Sequence, residues 1–211
     1  MTRKAQLAEI CGLSSPSKMP CYGYSLPASR CRVGSKLVTV AGSTCSGCYA
    51  LKGFYPLPTV QAALERRYQR VVAALADPAS RAAFVQAFVR LLARESYFRW
   101  HDSGDLMSVH HLELIAEVAA LTPHVVHWLP TREYAIVSAY SGPRPANLTI
   151  RLSAHMVDAK PPTSTLPTST VHTSAATLVG VECEAYKRKN YCGSCRACWD
   201  PAVANVSYRK H

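Results

Sequence analysis

Four cysteines near the C-terminus, Cys183, Cys192, Cys195 and Cys198, have the type and spacing to hold metal. A Cys-x-x-Cys-x-x-Cys turn points three sulfurs at three corners of one iron–sulfur cube, as in bacterial ferredoxins, and leaves the fourth corner to a cysteine from elsewhere. Cys183 is the nearest donor in sequence. Cys45 and Cys48 form a second Cys-x-x-Cys far upstream. Zinc is the rival metal, because four thiolates also make a tetrahedral structural site. Two features favour a [4Fe–4S] cluster. The run offers one more ligand than a zinc knuckle draws from a single turn, and Trp199, directly after Cys198, can shield a cluster from solvent.

Two allocations of ligands are open. In one, a single cluster on Cys192, Cys195 and Cys198 takes its last ligand from Cys183, Cys45 or Cys48, which ties the N-terminal loop to the C-terminal tail. In the other there are two clusters: one on the four C-terminal cysteines, and a three-cysteine one on Cys31, Cys45 and Cys48. An open iron in the second could bind a substrate or S-adenosylmethionine, and only this arrangement implies radical chemistry. Cys11 and Cys21 read as buried thiols.

A second constellation is His101-Asp102-Ser103-Gly104-Asp105. Two carboxylates, a histidine and a hydroxyl around a turn-forming glycine can supply acid–base groups or hold a polar substrate. Equally, Asp102 or Ser103 can cap the following helix while Asp105 favours its positive end. Thr131-Arg132-Glu133 divides the same way: Thr131 is a good helix cap, and Arg132 at a strand end can clamp a carboxylate or phosphate. Asp102, Asp105 and Arg132 are therefore the candidate catalytic residues. His110 and His111 lack an acidic or cysteine partner at metal spacing and read as surface or packing residues. Lys187, Arg188, Lys189 and Arg196 flank the cysteine run, where they either touch nucleic acid or offset the charge of ligated thiolates.

The elements that must position these groups follow from pattern. Residues 1–58 are rich in Pro, Gly, Ser and Cys and read as an irregular segment with a first strand at Lys36 to Val40. Residues 59–182 read as a strand and helix repeat. A helix from Thr59 places Val60, Leu64, Val71 and Leu75 on one face, and Asp77-Pro78 ends it and caps a second helix with Phe84, Phe88, Leu91 and Leu92 in its stripe. Tyr97 to Trp100, Val125 to Leu129 and Asn147 to Ser153 read as strands, with helices from about Ser108 to Leu121 and from Glu133 to Ala139. Thr170 to His172 and Thr177 to Val181 add two more strands, and 183–211 is a metal-binding tail. The fold class is α/β: one domain with a parallel sheet or an incomplete TIM-like barrel. In such sheets ligands bind at the carboxyl ends of the strands, where Asp102, Asp105, Arg132, Glu133 and His155 fall.

A chain of 211 residues that is 48% apolar suits one domain with a real core. No run approaches the roughly 20 apolar residues of a membrane span, and the N-terminus carries no signal core, so the expectation is a soluble intracellular protein. There, an odd nine cysteines are ligands or buried thiols before they are disulfides. The formal charge of +11 favours polyanions, nucleic acid above all, or keeps the surface soluble.

Cys45-Ser46-Gly47-Cys48-Tyr49-Ala50 with Lys52-Gly53, then His101 to Asp105, then Thr131-Arg132, then Cys183 with Cys192 to Trp199, resembles the phage "gene product 88" family across most of residues 20–199. The resemblance implies a protein acting in the cytoplasm of an infected bacterial host, and no mechanism. A looser likeness is to radical S-adenosylmethionine enzymes, which join a cluster loop after an early strand to a partial barrel. Their Cys-x-x-x-Cys-x-x-Cys loop is absent, since the nearest cysteine before Cys45 is Cys31. Two readings of function result: an iron–sulfur protein, extending to a cluster-dependent enzyme, or a basic module that contacts nucleic acid or a host protein and uses its metal for structure.

Overall fold

A computed structural model describes residues 3–210. In chain order its elements are α1 (Arg3–Ile10), β1 (Gly23–Tyr24), α2 (Arg32–Leu37), α3 (Pro58–Ala76), α4 (Pro78–Leu91), β2 (Tyr97–Trp100) and α5 (Val109–Ala120). They continue as β3 (Val126–Thr131), α6 (Tyr134–Ala139), β4 (Leu148–Ser153), β5 (Thr168–His172), β6 (Val181–Cys183) and β7 (Asn205–Arg209). The seven strands form one sheet in the order β1-β2-β3-β4-β5-β7-β6, every pair parallel. The sheet is open, with β1 and β6 at its edges.

Alternation along the strands sorts the sequence between two faces. Phe98 and Trp100 of β2, Leu129 of β3 and Leu148, Ile150 and Leu152 of β4 join the main core with Phe84, Val85 and Phe88 of α4 and Leu112, Ile115 and Val118 of α5. The Trp100 ring lies stacked on Phe88 at 5.1 Å and meets Phe98 edge-on at 5.0 Å. Such pairs add about 0.5–1.5 kcal/mol each beyond area burial. The opposite face carries a second, smaller core of Cys21, Trp128 and Trp199, with Met19, Tyr97, Cys198 and Tyr208 packed against it. Parallel sheets need cover on both faces. Here helices cover one, and the segments bearing Cys21 and Cys198 lie against the other.

Asp77 caps α4 as its sequence suggests, accepting from Ser80 N at 2.7 Å, with Pro78 in the first turn. Four expectations need correction. Lys36 to Val40 is no strand: α2 ends at Leu37 and its first N–H groups, Arg32 N and Val33 N, donate to Glu133 Oε1 at 3.1 and 2.8 Å. That cap comes from a residue a hundred positions away, so local propensity could not reveal it. Thr177 to Val181 is no strand either. Ala175–Thr177 forms a 3₁₀ turn, Gly180 takes φ +70°, and β6 starts at Val181. The C-terminal segment is more than a tail, since β7 inserts between β5 and β6. The strands form an open sheet and close no barrel.

Candidate functional site

The C-terminal cysteines are set by β6, β7 and the loop between them. Cys183 ends β6 opposite Tyr208 of β7. After it the chain passes through left-handed Lys189, Asn190 and Gly193 (φ 52°, 69° and 59°), which turns Cys192 back so that its N–H reaches Lys18 O at 3.2 Å. Cys198 Sγ lies 3.1 Å from Tyr208 Oη. Burial pushes the Cys198 thiol up to about 12. Cys192 is also raised, by burial first and then by Cys183, with Arg99 and Arg196 opposing. All nine cysteines are free.

Arg151 holds this loop, and sequence reasoning missed it. It is fully buried on β4, and its guanidinium donates to the carbonyls of Ala197, Cys198, Asp200 and Val203 and to Thr168 O, at 2.9 to 3.4 Å. The available signal was one arginine inside an apolar strand pattern, Leu148-Thr149-Ile150-Arg151-Leu152. Thr149 Oγ1 adds a bond to Trp199 O, and Trp199 Nε1 donates to Phe98 O at 2.9 Å. Trp199, only 2% exposed, packs on Trp128 and Tyr97 at 5.1 and 5.7 Å.

Beside this loop, Arg99 of β2 stacks its guanidinium 4.6 Å over Trp128 of β3. Its Nη1 donates to the weak acceptor Met19 Sδ at 3.2 Å, and the Tyr49 side chain lies beside it. Arg99 Nε and Trp128 Nε1 are buried without a hydrogen-bond partner. Among the described residues no carboxylate stands within ion-pair distance of Arg99. Burial works to lower its pKa, but Tyr49, Asp102, Tyr208 and Cys198 together outweigh it and the net shift is upward.

The upstream Cys45 lies beside Cys31, both sulfurs in contact range of a Cβ built on Gly34, and the Cys31 thiol is pushed up to about 12 by burial and then by Asp105, Cys48, Cys45 and Glu133. Cys45 is raised by burial and opposed by the cation of Arg132. As they stand, no three His, Cys, Asp or Glu side chains among the described residues converge closely enough to hold a metal ion.

The polar motifs serve mainly to anchor this N-terminal loop at the carboxyl ends of the strands. Asp102 accepts from Ser25 Oγ and from Tyr55 Oη, the latter at 3.2 Å, and its carbonyl accepts from Tyr49 Oη. Tyr49 is 55% exposed. Asp105 accepts from Leu106 N, Thr131 Oγ1 and Arg132 N at 2.7, 2.6 and 2.9 Å. Burial raises its pKa to about 6 in spite of those bonds. Arg132 Nε donates to Thr44 Oγ1 at 2.9 Å, Thr44 N donates to His155 O, and His155 stacks on Tyr134 at 4.4 Å.

The capping readings of these motifs are corrected. Ser108 caps α5, accepting from His111 N, while Ser103 Oγ donates to Leu26 O. Thr131 lies within β3, and Glu133 takes the N-cap position of α6 without a side-chain cap bond. His111 is a packing residue, buried 5.2 Å from the His101 ring, and His110 pairs with Glu113 at the surface. Lys187 and Arg188 pair with Glu184, and Arg196 Nη1 donates to Gly193 O and Cys195 O.

An open parallel sheet with helices on one face and cysteine-bearing loops on the other defines a cysteine-rich α/β protein. The chain belongs to the phage gene product 88 family, whose model matches residues 1–201. No curated protein and no solved structure matches it, and the looser likeness to radical S-adenosylmethionine enzymes gains no support. No described helix is long and apolar enough to cross a membrane.

Proposed function

We propose that this chain is an iron–sulfur protein that holds a [4Fe–4S] cluster on Cys183, Cys192, Cys195 and Cys198. The observation that carries the reading is Arg99. Arg99 is half-buried with its Nε enclosed; a cation partly withdrawn from water with no carboxylate within ion-pair distance is costly, and so is a buried N–H with no acceptor. Next to protonated thiols no carboxylate among the described residues lies within ion-pair distance of Arg99, and Arg99 Nε and Trp128 Nε1 have no acceptor. Thiolates ligated to a cluster supply negative charge and sulfur acceptors beside both groups, and hydrogen bonds of this kind tune such clusters. Arg151 fixes the backbone of the ligand loop, and Trp199 covers it. The cluster would supply electron transfer or Lewis acidity. Asp105 commits both carboxylate oxygens to the protein's own groups, so it positions the Arg132 segment and is not assigned a catalytic step.

The test is anaerobic purification with iron, sulfide and zinc measured per chain. Iron and sulfide in equal amounts, lost in Cys195→Ser and Cys198→Ser, support the cluster. Zinc without sulfide replaces it with a structural zinc site. The net charge of +11 supports a second reading, contact with a polyanion such as nucleic acid. Affinity that falls steeply with salt, and falls again when Lys187, Arg188 and Lys189 are neutralised, is its expected signature.

A further inference from the structure

We propose that the loop from Tyr49 to Leu57, with the start of α3, binds single-stranded nucleic acid, stacking bases on Phe54 and holding phosphates with Lys52 and Arg66. Phe54 is 81% exposed, more than any other large apolar side chain among the described residues, and Tyr49, Leu51 and Leu57 beside it in sequence are exposed too. An apolar stretch held in water in this way marks an interaction site. Its shape is set without a partner. The Tyr49 and Tyr55 hydroxyls both donate to Asp102, and the two rings meet edge-on at 5.8 Å. Successive turns close Tyr55 N on Lys52 O and Leu57 N on Phe54 O, each at 3.2 Å, and Gln61 Nε2 ties Tyr55 O to α3 at 2.8 Å. A loop already ordered loses little freedom on binding.

Charge selects the partner. Between Ile10 and Ala76 the chain carries eight basic side chains and one acidic one, Glu65. Glu65 is already engaged by Arg30, at 2.7 and 3.0 Å. Among the described residues neither Lys52 nor Arg66 is in an ion pair, and both are exposed. Thr59, Ala62, Arg66 and Gln69 lie on one exposed stripe of α3. Small side chains therefore separate the loop from Arg66, which sits roughly 12 Å up the helix. Phosphates suit the cations, and the flat ring of Phe54 suits the face of a base. A duplex hides those faces in its stack, and an acidic lipid surface offers the ring no flat group. The occupant that meets both features is a single strand.

The inference rests on the polyanion reading of the net charge and moves the contact from Lys187, Arg188 and Lys189 to the N-terminal third of the chain. One titration separates the two. Full-length protein is added to a labelled oligothymidylate, the matching oligouridylate and a duplex of equal length, with anisotropy read across a salt series and phosphatidylserine vesicles as a further probe. Either single strand should bind more tightly than the duplex. Phe54→Ala should weaken that binding about tenfold with the salt slope unchanged, and Phe54→Tyr, which keeps a ring, should restore it. Lys52→Gln with Arg66→Gln should lower the slope by about 1.4, the value for two single-strand phosphate contacts. All three side chains are exposed, so the variants should keep the native circular dichroism. Full affinity in Phe54→Ala, a duplex bound as tightly as a single strand, or binding to vesicles alone overturns the inference. Affinity that drops only when Lys187, Arg188 and Lys189 are neutralised overturns it and leaves the polyanion reading standing. No binding to any oligonucleotide at low salt overturns both.

Discussion

Arg99 and Trp128 are partners in register across β2 and β3, cation over indole, and each keeps a buried N–H with no acceptor. If both serve ligated thiolates, Arg99→Met should lower the cluster's reduction potential, because removing a nearby positive charge disfavours the added electron. A shift on the order of 60 mV corresponds to about 1.4 kcal/mol, near the low end for one hydrogen bond to a charged group. Trp128→Phe should move it the same way by less. An anaerobic redox titration reads both, and unchanged potentials at full iron content would exclude the pair from the cluster's surroundings.

Arg151→Met should be among the most damaging single changes in the chain. It deprives five carbonyls of one shared donor in a buried setting. A cost of about 3–5 kcal/mol is expected, the range for breaking a buried charged network. Arg151→Lys should recover only part, since an ammonium has three donors without the planar fork. Urea unfolding midpoints test this, and a midpoint close to native for Arg151→Met would show that the loop is held otherwise.

Gly104→Ala should be far worse than Gly53→Ala. Both glycines have positive φ, 81° and 60°, so both substitutions carry the roughly 1–2 kcal/mol strain of a left-handed residue. Only at position 104 does the new Cβ also strike another segment, 2.5 Å from Leu26 Cβ and 2.9 Å from Leu26 O, while position 53 has nothing within 4 Å. Thermal unfolding of the two variants should separate them clearly. Equal loss would mean that the strand-end turn can shift away from Leu26.

Acid should destabilise the fold from about pH 6.5 downward. His111 and His127 are lowered by burial from 6.5 to about 3, and His101 is lowered as well by burial, His111 and Arg99. Between pH 6.5 and 3 the unfolded chain therefore binds more protons than the folded one, and stability falls as pH falls. Asp105 works in the opposite sense. With its pKa raised from 3.8 to about 6, the folded state holds the extra proton, so its contribution declines as pH rises through that window. Three histidines outnumber one aspartate, and the net slope should be about 1.4 kcal/mol or more per pH unit near pH 5. Denaturant titrations from pH 4 to 7 check this, and a flat profile would contradict the buried neutral histidines.

What the sequence by itself determined was everything that depends on near neighbours. The stripes of α3 and α4, the Asp77-Pro78 junction, the strand at Tyr97–Trp100, the Val126–Leu129 part of β3 and the spacing of Cys192, Cys195 and Cys198 repeat over a few residues, where backbone geometry dictates which side chains share a face. The tertiary structure alone decided which distant groups meet. It drew Cys31 to Cys45, it capped α2 with Glu133, and it turned Asp102 and Asp105 from helix caps into anchors for loops. It also slotted β7 between β5 and β6, which neither strand's short polar sequence foretells. Arg99 and Arg151 each look like one more basic residue among many until strand register places them under the cysteine loops. Burial and partnership are set by the packing of the whole sheet, and no local spacing encodes them.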